Sequence, residues 1–158
     1  MYKRAVVPLD GSEVSAAILP FITRIAGPLD MEVILLRVVE PNPPRVIESS
    51  RHVEVDDIQT RLTEARTYLK PVMEELAGQG VRASMQVRHG DPVTEIVECA
   101  KTVQADLIAM STHGRSGLGR LLFGSVAEAV LRHAEIPVFL MRLTESQVRS
   151  RRAREAVR

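Results

Sequence analysis

The sequence predicts an α/β fold: a single-domain three-layer α/β/α sandwich on a five-stranded parallel sheet of order 3-2-1-4-5, with four helices. Three observations carry that expectation. Apolar runs alternate with amphipathic runs from residue 1 to 143. The strand-like runs are almost continuously apolar, as strands covered on both faces are. The 158 residues suit one domain with one core.

Ala5-Val-Val-Pro-Leu9 reads as the first buried strand. Val14, Ala17, Ile18, Phe21, Ile22 and Ile25 follow at helical spacing, with Ser12 as N-cap and Gly27-Pro28 as the stop. Val33 to Val39 is the second strand, unbroken by polar residues until Arg37, and Pro41-Asn-Pro-Pro44 is a loop. Ile58, Leu62, Ala65, Leu69, Val72, Met73 and Leu76 mark a long second helix closed by Gly78 and Gly80. Pro71 inside it predicts an irregularity near Thr67. Val81, Ala83, Met85 and Val87 alternate like an edge strand. Gly90-Asp91-Pro92 is a turn into a third helix, with Asp91 as N-cap and Pro92 at the first position. Ala105 to Met110 is the fourth strand, Val126 to Ala134 the fourth helix and Pro137 to Met141 the fifth strand.

Composition narrows the function classes. Apolar residues make up 45% and charged residues 26%, an ordinary globular balance, and the net charge is +1. Residues 144–158 hold five arginines and two glutamates, so this tail is +3 and residues 1–143 carry −2. No general case for nucleic acid follows, and the basic tail reads as a solvated helix or frayed end. No run reaches the roughly 20 apolar residues of a membrane span, and the first apolar run is too short for a signal peptide. Cys99 stands alone and fits a small buried position. A cytoplasmic protein fits these features.

Parallel sheets of this kind bind ligands beyond the carboxyl ends of their strands, where the strand order reverses. Two segments fall there. Met110 to Ser125 is a Gly-rich loop between a strand and a helix, so its backbone can approach an anion closely and the helix amides point at it. Asp10 directly follows the first strand. Its carboxylate suits a ribose hydroxyl, with a helix cap as the plainer reading. Pro8 is tolerable there only if pairing has already ended. Neither the P-loop nor the G-x-G-x-x-G fingerprint is present.

The loop reads Ser111-x2-Gly114-x9-Gly124-Ser125, and the chain opens with Val-Pro-Leu-Asp-Gly-Ser. On these residues residues 1–143 resemble the universal stress proteins, in particular the ATP-binding branch with G-x2-G-x9-G-[ST] after the fourth strand. The resemblance implies an ATP-, ADP- or AMP-binding regulator of the stress response or a nucleotide-dependent switch, with any Mg2+ carried by the nucleotide. It implies that Gly114, Gly124 and Ser125 hold phosphates, that Val126 adds an amide and that Asp10 binds ribose. Val38 would meet adenine through its main chain, and Pro8, Leu9 and Met110 would line the pocket. Ser111 departs from the motif glycine. At a strand end a serine still offers its N–H and adds a hydroxyl.

His113 and Arg115 complete the candidate set around Gly114. For His113 a backbone-bonding structural role competes with one as a base, and for Arg115 and Arg120 solvation competes with contact to a triphosphate. His52, His89 and His133 show no metal-like spacing. The chain is therefore read as a binder rather than an enzyme. A nucleotide-free interaction module of the same fold and a slow ATPase are the alternatives. The apolar fifth strand, Val138 to Arg142, would be an open edge, and the resemblance implies a homodimer across it.

Overall fold

The computed structural model describes residues 1–41, 51–113 and 124–157. The strands are β1 (Arg4–Pro8), β2 (Glu32–Val39), β3 (Ala83–His89), β4 (Leu107–His113) and β5 (Val138–Leu143). All neighbours pair in parallel, in the order β3-β2-β1-β4-β5. The helices are α1 (Leu19–Leu29), α2 (Arg51–Gly78), α3 (Pro92–Thr102), α4 (Ser125–His133) and α5 (Glu145–Ala156), with a 3-10 turn at Ser15–Ile18. Among the described residues there are five helices, against the expected four. The fifth forms from the arginine-rich tail, because Thr144 and Gln147 make a reciprocal capping box that satisfies its first turn.

Side chains alternate across the strands, so the sheet has two cores. Val7, Val33 and Leu35 pack with Ile18, Ile22 and Leu69 on one face. Val6, Ile34, Leu36 and Ile108 pack with Ile96, Cys99 and Val130 on the other. Each wholly buried Val, Leu or Ile contributes about 1.5–3 kcal/mol, so both helical layers are firmly attached. Cys99 is buried against Gln86, and burial pushes its thiol pKa up.

Asp91 and Pro92 open α3 as expected, with the Asp91 carboxylate accepting the Thr94 N–H at 2.9 Å. β3 is an edge strand. Elsewhere the boundaries move. α2 is continuous from Arg51 to Gly78 through Pro71, so the irregularity expected near Thr67 does not break the helix. Thr67 and Pro71 both face solvent, so water can serve the carbonyl that the proline leaves without a donor. The same holds for Pro28, which lies inside α1 rather than ending it, with Arg24 one turn earlier also exposed. α1 stops at Asp30 in the left-handed conformation.

Phe21 and Ile25, which share the helical spacing of the apolar residues, are 46% and 38% exposed. The first turn is a tight 3-10 turn, so the buried stripe runs Ala17, Ile18, Ile22, Ala26. The N-cap falls at Val14, with no side-chain cap, rather than at the expected Ser12. The Ser12 Oγ instead accepts the Ser15 N–H at 3.0 Å in the bend ahead of the turn. β4 extends three residues beyond Met110 and β5 two beyond Met141, in register from Ile108↔Val138 to His113↔Leu143. The prolines at 42–44 lie outside the described residues.

Candidate functional site

The sheet opens at its carboxyl edge on the β4 side of β1. β1 and β4 pair only at Ala5↔Leu107 and Val6↔Ile108. β1 and β2 stay paired to Pro8↔Leu36, and β4 and β5 to His113↔Leu143. Beyond Val6 the two central strands therefore separate, at the point where strand order reverses. This is where a parallel sheet offers a ligand crevice. Pro8 occupies the last β1 position, where its missing N–H costs the ladder least.

Backbone alternation turns two further groups toward this opening. Leu36 accepts the Leu9 N–H at 2.8 Å, and Val39 accepts the Gly90 N–H at 3.1 Å. The N–H and C=O of alternate residues in a parallel strand share one side. Val38 therefore directs both groups toward β1, two residues past its last partner. On β4, Ile108 donates to Pro137 at 3.0 Å on the β5 side. Three residues on, Ser111 directs its backbone groups to the β1 side.

Asp10 stands at the end of β1. Its Oδ1 accepts the Ser12 N–H at 2.8 Å, and its own N–H donates to Ser15 Oγ at 3.2 Å. Burial raises its pKa, but hydrogen bonds from Ser12 and Ser15 and the charge of Arg37 outweigh this and hold it below the usual aspartate value. Gly11 makes the turn at φ +88°, and an added Cβ would sit 3.4 Å from the Arg37 guanidinium. A side chain there would be strained whatever the space.

Arg37 and Tyr68 belong to this site, and sequence reasoning passed over both. Arg37 is half-buried and donates through Nη1 to Leu9 O at 3.4 Å. Tyr68 comes from α2, and burial, then the Asp10 charge, push its phenol up. Asp10, Gly11, Arg37, Val38, Tyr68 and neighbouring residues line a cleft of about 530 Å³. The available signal was Arg37 itself, a cation interrupting an apolar run in a strand covered on both faces.

The β4 side has a different chemistry. Gly124 precedes α4 in extended conformation and gives it no side-chain cap, unlike Asp91 on α3 and Thr144 on α5. Its N–H donates to Thr112 Oγ1 at 3.0 Å, and Thr112 is buried. A Cβ on Gly124 would meet that oxygen at 3.1 Å. The first-turn amides of α4, among them Ser125 and Val126, have no intrahelical acceptors, and the helix dipole favours an anion there. Glu128 lies in that turn, but Arg132 holds its carboxylate.

Ser111 and His113 lie within β4 rather than in a loop, because backbone pairing with β5 continues past the last apolar residue. The Ser111 hydroxyl engages Val14 O and Ser15 O, the latter at 2.9 Å, and so anchors the 3-10 turn. Leu9 and Met110 are buried. Gly114, Arg115 and Arg120 lie outside the described residues, as do the side chains of His52 and His113. Among the described residues no group of three or more His, Cys, Asp or Glu is placed to hold a metal, and no helix is long and apolar enough to cross a membrane.

A parallel five-stranded sheet with this order and a crevice at the β1/β4 opening defines a doubly wound α/β protein. The universal stress protein family model matches residues 1–142, and the chain belongs to that family. It is 37% identical over 144 residues to universal stress protein MJ0531 of Methanocaldococcus jannaschii, covering 90% of this chain and 83% of that one. The solved structure of MJ0577, from the same organism, superposes with a TM-score of 0.77 at 30% identity, covering 92% and 99% of the two chains. A universal stress protein solved in complex with cAMP superposes with a TM-score of 0.61 at 27% identity, covering 90% and 98%.

Proposed function

We propose that this chain binds an adenine nucleotide across the opening between β1 and β4 and acts as a nucleotide-dependent switch in a stress response. One observation carries the reading. The two central strands part at Val6/Ile108, with an ionised Asp10 on one side and the uncapped start of α4 on the other. The cAMP complex of a related protein supports the ligand class.

The groups match the parts of a nucleotide. The N–H and C=O of Val38 offer the donor and acceptor that an adenine edge needs. Asp10 accepts from the ribose hydroxyls, a charge-assisted bond. The amides of Ser125 and Val126, with the Ser125 hydroxyl, take a phosphate. ATP, ADP and AMP all fit this scheme, and any Mg2+ would come with the phosphates.

Binding rather than turnover is the expected activity. Asp10 sits below the usual aspartate range, which makes it a poor general base near neutral pH. The protein is read as cytoplasmic, passing its state to a protein partner. Val138–Leu143 forms an open sheet edge with Phe139 37% exposed, which suits a self-complementary homodimer. Mass spectrometry of small molecules released from freshly purified, denatured protein tests the ligand assignment. Adenine nucleotide in the released fraction is the expected result. Its absence, with no heat of binding for millimolar ATP or AMP, would overturn the reading.

A further inference from the structure

The family model ends at residue 142, and α5 begins at Glu145. The helix lies beyond the residues that the family model matches, and its contacts fall in one place. Val148, 8% exposed, packs with Val14, Ala17 and Leu143. Glu155, seven residues later and so on the same helical face, accepts the Glu13 backbone N–H through Oε1. Both contacts grip residues 13–17, directly after the turn that carries Asp10. Tyr68 reports the same convergence. After burial and the charges of Asp10 and Arg37, its phenol also feels Glu13 and Glu155.

We propose that α5 is a positioning strap for the ribose side of the nucleotide site. Val148 and Glu155 hold residues 13–17, and through them the Asp10–Ser12 turn, in the conformation that presents the Asp10 carboxylate. The linkage is continuous. Ser15 takes the Asp10 N–H on its Oγ and the Ser111 hydroxyl on its carbonyl. Ser12 accepts the Ser15 N–H, and its own N–H reaches the Asp10 carboxylate. Fixing this loop before the ligand arrives removes an ordering cost from binding. The proposal rests on the nucleotide-binding reading above.

The test uses full-length Glu155→Ala, Val148→Ala and Glu155→Gln, with amide hydrogen exchange of the free protein and titration with ATP and AMP. Glu155→Gln keeps an Oε1 acceptor and loses only the charge. The alanine variants are expected to exchange faster at residues 11–17 and to bind both nucleotides about 3- to 10-fold more weakly, about a kilocalorie per mole. Glu155→Gln is expected to match the parent in both. Unchanged exchange and affinity in the alanine variants, beside a parent that binds nucleotide, would overturn the strap alone. A Glu155→Gln variant as impaired as Glu155→Ala would also overturn it, since charge rather than the hydrogen bond would then be at work. A parent that binds neither nucleotide overturns the functional reading, and the strap's role in binding with it.

Discussion

The two banks of the opening are built on opposite plans. At the end of β1, Asp10 and the residues after it are held by Ser12, Ser15 and Arg37 and by contacts from β4 and α5. At the end of β4, a glycine starts a helix without a side-chain cap and is itself pinned by one threonine hydroxyl. The first bank is complete within the protein, with its charge already solvated by protein donors. The second has first-turn amides with no intrahelical acceptor and no side-chain cap among the described residues. A ligand with a neutral hydroxyl-bearing end and an anionic end fits that asymmetry, and a nucleotide is such a ligand.

Substitutions on the two banks should therefore fail differently. Gly124→Asp has the largest expected effect on binding. It puts a carboxylate where the phosphate should lie and crowds Thr112. Like charges in contact cost several kcal/mol, so ATP affinity should fall about 100-fold or more, read by titration. An affinity within a few-fold of the parent would remove the anion from this bank.

Thr112→Val comes next and should act mainly on stability. It strips the acceptor from the Gly124 N–H beside a buried side chain. Leaving that donor unpaired costs about 1–3 kcal/mol, measurable as a lower urea midpoint. An unchanged midpoint would show that the pin is dispensable.

Asp10→Asn should weaken ATP and AMP equally, by about tenfold, because one charge-assisted bond is replaced by a neutral one. It should also change the acid response. The folded pKa of Asp10 lies below the ordinary 3.8. Its stabilising contribution is therefore full above pH 3.8 and is lost as pH falls through the folded value. Urea midpoints should drop less steeply in that window for Asp10→Asn than for the parent. Equal slopes would mean that Asp10 is not held ionised by its neighbours.

Ser111→Gly should have the smallest effect. It restores the family's motif residue but removes the hydroxyl that anchors Val14 and Ser15. A loss of about 1 kcal/mol in stability is expected, with ATP affinity within about threefold, since the N–H at that position remains. A large gain in affinity would show that the serine obstructs the site.

The fold was legible where side-chain pattern reports burial. Continuous apolar runs marked four of the strands and alternation the edge strand β3, and Asp91-Pro92 marked the start of α3 to the residue. What escaped were features that pattern does not encode. β4 continues through Ser111, Thr112 and His113 because backbone pairing with β5 is indifferent to polarity. Pro28 signals a stop and Pro71 an irregularity, though on a solvent face water can serve the carbonyl each proline leaves without a donor and both helices continue through them. The tail reads as a solvated helix or frayed end, and α5 is a helix, but its docking through a single buried side chain, Val148, leaves no pattern in the sequence. Of the candidate site, Asp10 is picked out by its place after the first strand and Gly124-Ser125 by the family motif, whereas Tyr68 is brought in only by how α2 lies on the sheet.

The central claim is that one adenine nucleotide spans both banks, with ribose at Asp10 and phosphate at α4. Amide NMR of the full-length protein titrated with ATP tests it most directly. The account predicts saturable shifts, at one common affinity, of Gly11 and Ser12 on one bank and Ser125 and Val126 on the other. Shifts confined to one bank, or an unchanged spectrum at millimolar ATP, would contradict it.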